Sequence, residues 1–441
     1  MPTITCPIAD NAQRNPNSLA IITVDQEVTY SKLNTLITIK CSDLNNQKPA
    51  LPLFIQENNS LDTIVTLFAT HRLGINVVLL STRYPENKTN NVLSKIIHTE
   101  FKSSKNQRNI LDLNTQTILF TSGSTGEPKA TVLTLSNHYY SALGSNENIT
   151  LKQGDRWLLS LPIYHVGGLS ILYRVFLASA TVVLSDKNSD INDEIIKYNI
   201  THLSLVPTQL YRLIKEEGLD KLKVILLGGA SIPESLIHHS ISLNLPLYIT
   251  YGLTEMASQI ATSSKITDKS SINTVKVLNY RHLMIDSSDE ICVKGETLFK
   301  GYIQQNNTTL PLESGWFKTG DLGSLDENAY LKVMGRKDNM FISGGENIQP
   351  EEIERIINEL SSVEEAYVVP TEDCEFGYRP VLFIRGSVTK DEVLNHLSLR
   401  IEKFKTPIEF YYLTKIEGIK VNRQELKERL KTKTSCLKIF K

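Results

Sequence analysis

A chain of 441 residues is too long for one small core and can bury enough apolar surface for two domains or three. Its formal net charge of −1 excludes a global field that would draw it to nucleic acid or an anionic membrane. Five widely spaced cysteines (Cys6, Cys41, Cys292, Cys374, Cys436) with no Cys-x-x-Cys pair argue against a disulfide framework and a zinc site, and suit a reducing compartment.

The first residues, Met1-Pro-Thr-Ile-Thr-Cys-Pro7, lack a basic segment followed by an apolar run, so no secretory leader is expected. No apolar stretch approaches the roughly 20 residues that span a bilayer. The expectation is a cytoplasmic protein with no membrane span.

Leu51 to Ile55 reads as a strand, Ser60 and Asp62 open a helix, and Asn76 to Leu80 reads as the next strand. Glu86 to Arg108, rich in Asn, Lys and Ser, is expected to cross the surface. Thr117 to Phe120 is a strand, and Ser136 is a candidate cap for the helix after it. Strands follow at Arg156–Ser160, Thr181–Leu184, His202–Leu205, Val224–Leu227 and Leu247–Ile249, with helices near Leu169–Ala178 and after Pro207. This alternation predicts parallel strands joined by helices. Lys276 to Val333 alternates apolar and polar residues, as a small antiparallel β region does. From Pro350 the chain reads as an α+β module of roughly 100 residues, a size that folds alone.

The strands run into Thr121-Ser-Gly-Ser-Thr-Gly126, Pro162-Ile-Tyr-His165, Val206-Pro-Thr208, Gly228-Gly-Ala-Ser231 and Tyr251-Gly-Leu-Thr-Glu255. In a parallel sheet all carboxyl ends face one way and ligands bind in the crevice there, so these five loops are expected on one rim.

Thr121-Ser-Gly-Ser-Thr-Gly-Glu-Pro-Lys129 carries the strongest chemistry. Four hydroxyl side chains and two glycines leave backbone N–H groups open to anion oxygens, and Lys129 adds a point charge. Only two residues separate Gly123 from Gly126, so this is not a Walker loop. Taken alone, such a segment is equally a flexible polar turn. With Ile118-Leu-Phe before it, however, it resembles the phosphate loop of the adenylate-forming superfamily: acyl-CoA synthetases, peptide-synthetase adenylation domains and luciferases. Three further matches follow in the family's order: Tyr251-Gly-Leu-Thr-Glu255, Gly315-Trp-Phe-Lys-Thr-Gly-Asp-Leu322, and Gly335-Arg-Lys-Asp-Asn-Met-Phe-Ile-Ser-Gly-Gly-Glu-Asn-Ile348.

The resemblance implies a large N-terminal α/β domain (residues 1–337), with parallel sheets flanked by helices and a small β region. It also implies a mobile α+β C-terminal domain (residues 338–441). Thr121, Ser122, Gly123, Ser124, Thr125, Gly126 and Lys129 would hold the ATP phosphates. Gly229, Ala230 and Tyr251 would line adenine, with Gly228 and Gly252 beside the acyl group. Thr254 would contact the α-phosphate, Glu255 would hold Mg²⁺, and Asp321 with Arg336 would hold the ribose. His165 would gate the acyl pocket and orient the carboxylate. Lys420, in Lys-x-x-Arg-x-x-Leu spacing, would stabilise charge during adenylation, with Lys415 as the other candidate because Ile419 interrupts the family's Gly-Lys pair. Asp338 matches the hinge position, and Gly344 and Gly345 would line the tunnel for coenzyme A.

No Asp stands near His165 to hold an amino group, which argues against an amino acid substrate. Leu159 to Phe176, Leu203 to Leu213, Ser343 to Pro350 and Gly418 to Leu426 resemble the o-succinylbenzoate–CoA ligases of menaquinone synthesis. Arg174 is then a candidate for a distal carboxylate, its other role being a helix-face arginine in water. Two alternatives stay open: a CoA ligase for another aryl or medium-chain acid, and an inactive acyl-nucleotide-binding protein. A homodimer is suggested by analogy alone.

Overall fold

A parallel sheet covered on both faces buries every position of its central strands, polar residues included. Thr181–Leu184 and His202–Leu205 are buried at every position. They lie inside a nine-stranded sheet ordered Lys276–Val277, Ser258–Thr262, Leu247–Leu253, Val224–Gly228, His202–Leu205, Arg156–Leu159, Thr181–Leu184, Leu19–Ile22 and Glu27–Thr29. Its six central strands, Leu247–Leu253 through Leu19–Ile22, run parallel. The structure, a computed structural model, describes residues 3–47, 52–94, 96, 109–122, 128–186, 189–214, 216, 218–229, 232, 234–268, 271–272, 274–304, 307–398, 400–413, 421 and 423–432.

A six-stranded sheet is ordered Asn307–Thr309, Gly301–Gln304, Pro128–Thr134, Gln116–Ser122, Val77–Leu79 and Leu53–Ile55. Gln116–Ser122 is parallel to Val77–Leu79 but antiparallel to Pro128–Thr134. The phosphate loop is therefore the connection of a hairpin in this sheet. It does not share a sheet with the Pro162, Val206, Gly228 and Tyr251 loops, as the single-rim expectation required. The reason is the return strand: Pro128–Thr134 pairs antiparallel along Gln116–Ser122, ahead of the helix Leu135–Asn148.

Leu135–Asn148 is the helix that follows, and its cap is Thr134 rather than Ser136. Thr134 Oγ1 accepts from the Asn137 N–H at 3.3 Å while Asn137 Oδ1 accepts from the Thr134 N–H at 2.8 Å, a reciprocal box that Ser136, inside the helix, cannot make. Of the segment Glu86 to Arg108 expected to cross the surface, Glu86–Ser94 forms a helix that leaves Glu86, Asn90, Asn91 and Ser94 exposed and buries Val92, which packs with Ile96 against Ile118 and Val132; residues 95 and 97–108 lie outside the described residues. Ser60 caps Leu61–Leu73 as expected, its hydroxyl accepting from the Thr63 N–H at 3.1 Å.

The antiparallel region forms a third sheet: Arg281–Ile285, Glu290–Gly295, Trp316–Leu325 and Leu312–Glu313, with Leu331–Arg336 paired to Trp316–Leu325. Beyond it, Phe341–Ser343, Glu346–Ile348, Val363–Asp373, Gly377–Gly386 and Glu409–Tyr412 make a fourth sheet. Helices Pro350–Ile357 and Lys390–Ser398 pack there around a separate core that includes Ile353, Ile357, Val368, Leu382 and Val393. Among the described residues, no helix is long and apolar enough to cross a membrane, and the four described cysteines are free thiols.

This last module is held by a buried ion pair. Arg423 donates to both oxygens of Glu354, at 2.5 and 2.6 Å, and to the Val368 carbonyl at 2.8 Å. Glu354 Oε1 also accepts from the Val368 N–H at 2.6 Å, so the carboxylate is fully engaged. Removing one partner strands the other in a dry core. Arg423→Met is expected to destabilise the module by about 3–5 kcal/mol. Chemical denaturation followed by hydrogen exchange on Val363–Asp373 reads this directly, and a loss below about 1 kcal/mol would mean that the pair is solvated.

Candidate active site

Strand Trp316–Leu325 alternates strictly, with Phe317, Thr319, Asp321 and Gly323 turned inward. Asp321 is thus a carboxylate in a buried row and needs partners. Tyr251, on Leu247–Leu253, donates its hydroxyl to Asp321 Oδ2 at 2.7 Å, and Arg336 Nη1 donates to Oδ1 at 3.0 Å. Sheet register supplies the second contact, because Asp321 and Arg336 are directly paired. Burial pushes the Asp321 carboxyl above its usual range, opposed by Arg336 and the Tyr251 hydroxyl. Burial and the Asp321 charge push the Tyr251 phenol up as well, so it stays a proton donor. Arg336 also donates to the Thr319 carbonyl at 2.9 Å and to both oxygens of Asp338, at 3.0 and 3.2 Å.

A second cluster forms where the sheets meet. Thr254 and Glu255 lie in a 3₁₀ turn directly after Tyr251-Gly-Leu. The Tyr302 hydroxyl donates to Glu255 Oε1 at 2.7 Å, and the Lys129 ammonium sits 5.3 Å from the Tyr302 ring centre. Thr121 and Ser122 end the first strand of the phosphate hairpin, opposite Lys129 and Pro128. Gly123, Ser124, Thr125 and Gly126 lie outside the described residues, as does Ala230. Gly228 ends its strand beside Thr250, where a β-carbon would meet the Thr250 carbonyl oxygen at 2.6 Å, and Gly229 follows with φ of 82°.

His165 caps the helix Val166–Leu177 and stands exposed, its ring against Tyr164 at 4.8 Å. Asn59 sets the loop before it, a role that no sequence motif marks. Its side chain donates to the Leu161 carbonyl at 2.9 Å and accepts from the Ile163 N–H at 3.0 Å. Arg174, on the same helix, is not a solvated helix-face arginine: only 1% of it is exposed. Nη2 donates to the Ser258 hydroxyl at 3.1 Å, and Trp157 lies 5.6 Å below the guanidinium. Nε has no hydrogen-bond partner among the described residues. Burial, with Arg281 adding like charge, pushes Arg174 down to about 9. Ser258 is held at φ of 104°, a strained setting for a residue with a side chain. Gly252 packs against its carbonyl where any β-carbon would collide.

Asp338 lies in the short turn Lys337–Asn339 that joins the third sheet to the last module. Lys337 pairs with buried Glu290 at 2.8 Å, and Glu290 Oε1 accepts from the Gly320 N–H at 3.0 Å. Gly344 and Gly345 are the turn of the hairpin Phe341–Ser343/Glu346–Ile348, with φ of 59° and 90°, as a tight two-residue connection requires. Lys420 and Lys415 lie outside the described residues. Arg423, three positions after Lys420, is the buried partner of Glu354.

Residues 97–303 match the family model for AMP-binding enzymes. A 2-succinylbenzoate–CoA ligase of Bacillus cytotoxicus is 30% identical, over 95% of this chain and 97% of that protein. The o-succinylbenzoate CoA synthetase (MenE) of Bacillus subtilis, solved with the acyl-adenylate intermediate OSB-AMP, superposes with a TM-score of 0.86 at 28% identity, covering 97% of this chain and 99% of that one. The same synthetase solved with ATP and magnesium ion gives a TM-score of 0.83 at 28% identity, covering 93% and 96%. With the phosphate hairpin, the Asp321–Arg336 pair and the Glu255 turn arranged as above, the chain belongs to the 2-succinylbenzoate–CoA ligase family of AMP-binding, adenylate-forming enzymes.

Proposed function

We propose that this protein is an AMP-forming acid–thiol ligase that adenylates o-succinylbenzoate with ATP and passes the acyl group to coenzyme A, as menaquinone synthesis requires. The observation that carries it is a pair of hydroxyl-to-carboxylate bonds, Tyr251 to Asp321 and Tyr302 to Glu255. They draw residues from three sheets into one neighbourhood. The four free thiols suit the cytoplasm, where we expect the enzyme to work.

In the first step an oxygen of the acyl carboxylate attacks the α-phosphorus, the bond to the bridging oxygen breaks, and pyrophosphate leaves with the electron pair. In the second, the coenzyme A thiol gives up its proton to solvent. Its sulfur then attacks the acyl carbonyl carbon, and AMP leaves. Thr121 to Gly126 with Lys129 hold the phosphates in this scheme. Gly228, Gly229, Ala230, Tyr251 and Gly252 border adenine and the acyl group. Asp321 accepts from the ribose hydroxyls, Arg336 keeps that carboxylate charged, and Thr254 contacts the α-phosphate. Lys420 meets the charge that shifts between carboxylate and α-phosphate. His165 orients the reacting carboxylate.

The residues present fit Mg²⁺. Glu255 offers a half-buried carboxylate with one oxygen engaged by Tyr302, and Mg²⁺ is ordinarily held by one or two carboxylates plus substrate phosphate and water. When bound, the ion neutralises phosphate charge. Arg174 suits the distal carboxylate of the acid: a buried guanidinium with no paired carboxylate among the described residues, and an open Nε, gains most from an anion. We assign residues 1–337 and 338–441 as two domains that rotate about Asp338 between the steps, with Gly344 and Gly345 then lining the coenzyme A path. A homodimer remains a proposal by analogy.

Pyrophosphate release with ATP, Mg²⁺ and a panel of acids tests the substrate. Release should be confined to o-succinylbenzoate, ahead of benzoate, a medium-chain fatty acid and amino acids, and a thioester should form on adding coenzyme A. Release with another acid would keep the chemistry and overturn the substrate. Lys420→Ala should lose adenylation by at least about 100-fold yet keep thioester formation from supplied acyl-adenylate. An unchanged adenylation rate would sink the assignment of that lysine. Arg174→Gln should raise KM for o-succinylbenzoate on the order of 100-fold while KM for ATP stays within about twofold. Equal effects on both substrates would instead mark Arg174 as a packing residue.

A further inference from the structure

Tyr302 belongs to none of the four motifs that identify the family, yet it touches two of them. Its strand, Gly301–Gln304, runs antiparallel to Pro128–Thr134, with Tyr302 opposite Thr131. Lys129 is two residues from Thr131 and so shares its face, which sets the ammonium diagonally over the phenol ring. On the other side the hydroxyl meets Glu255 Oε1 at 2.7 Å. The ring has little freedom. Phe299 packs edge-on against it at 4.8 Å, and the Phe299 N–H donates to the Glu255 carbonyl at 2.8 Å. One aromatic wedge therefore fixes both the tyrosine and the backbone of the carboxylate that it binds.

We propose that Tyr302 is a positioning residue for adenylation: its hydroxyl aims the Glu255 carboxylate, and its ring backs the Lys129 ammonium. Metal carboxylate and phosphate cation are thereby held at one spacing before the nucleotide arrives. This rests on Glu255 acting as the metal carboxylate. A neutral phenol is suited to the task, because it orients a carboxylate without cancelling the charge that a divalent cation needs. An ammonium in its place would compete with the ion.

The test compares Tyr302→Phe with the unaltered enzyme and with Glu255→Gln. Three readouts are taken: the Mg²⁺ concentration giving half-maximal pyrophosphate release, Mn²⁺ binding by electron paramagnetic resonance with a non-hydrolysable ATP analogue, and thioester formation from supplied acyl-adenylate. Tyr302→Phe should raise the Mg²⁺ requirement and weaken Mn²⁺ binding about tenfold, with the thioester step within about twofold and Tm unmoved. In a Glu255→Gln background the same change should add nothing, since the hydroxyl acts through that carboxylate. Tyr302→Leu should also raise KM for ATP several-fold by removing the surface behind Lys129. If Glu255→Gln leaves the Mg²⁺ dependence unchanged, the metal assignment itself fails. If Glu255→Gln shifts that dependence and Tyr302→Phe does not, or if Tyr302→Phe depresses both steps and Tm alike, Tyr302 is structural and the proposal is overturned.

Discussion

The guanidinium of Arg336 binds together parts of this protein that the chain order keeps apart. It pairs with Asp321 inside a buried row, takes the Thr319 carbonyl, and reaches both oxygens of Asp338. Burial works against its charge, but the Asp338 hydrogen bonds and the two carboxylate charges outweigh that and hold it more firmly protonated than usual. Its carbonyl accepts from the Gln349 side chain at 3.0 Å, Gln349 reaches Glu351 at 2.5 Å, and Arg423 reaches Glu351 at 3.4 Å. A hydrogen-bonded path thus runs from the inward row of the third sheet, past the turn at Asp338 by way of the Arg336 carbonyl, to the residue three positions beyond Lys420. In the proposed rotation the bonds on the far side of that turn are the ones exchanged. Asp321 and Arg336 both lie before it and can stay paired.

The carboxylates here take two kinds of partner. A tyrosine hydroxyl donates to Asp321 and to Glu255, from Tyr251 and Tyr302, and Asp321 has Arg336 as well. A cation pairs with Glu354 and with Glu290, from Arg423 and Lys337. Arg174 is the inverse case, a buried cation whose partners are a serine hydroxyl and an indole face. Burying a charge without a counter-ion is costly. The strained backbone of Ser258 is a second local cost at the same place. Two such costs lie side by side, next to Gly252.

Much of this was legible beforehand, because it is local. The strand at Thr181–Leu184 falls where a β-branched and aliphatic run placed it, and Ser60 caps its helix as its spacing predicted. Ser136 misled because two hydroxyl residues stand within three positions, and only the end of the preceding strand selects Thr134 as the cap. The polar composition of Glu86–Ser94 marked a surface segment but hid Val92, whose burial with Ile96 depends on a sheet contributed by later residues. The phosphate loop was recognised as chemistry but placed on the wrong sheet, since a strand's spelling does not reveal whether its neighbour runs with it or against it.

The sequence by itself determined several helices, most strands, the family motifs and the residue types each motif offers, because those depend on neighbours within a few positions along the chain. Only the tertiary structure decided partnership. Tyr302 and Glu255 are 47 residues apart, Tyr251 and Asp321 are 70, and Arg174 and Ser258 are 84. No periodicity links such positions. They meet because sheet register and strand order bring distant backbones side by side, and burial then leaves each polar group few partners but the one opposite.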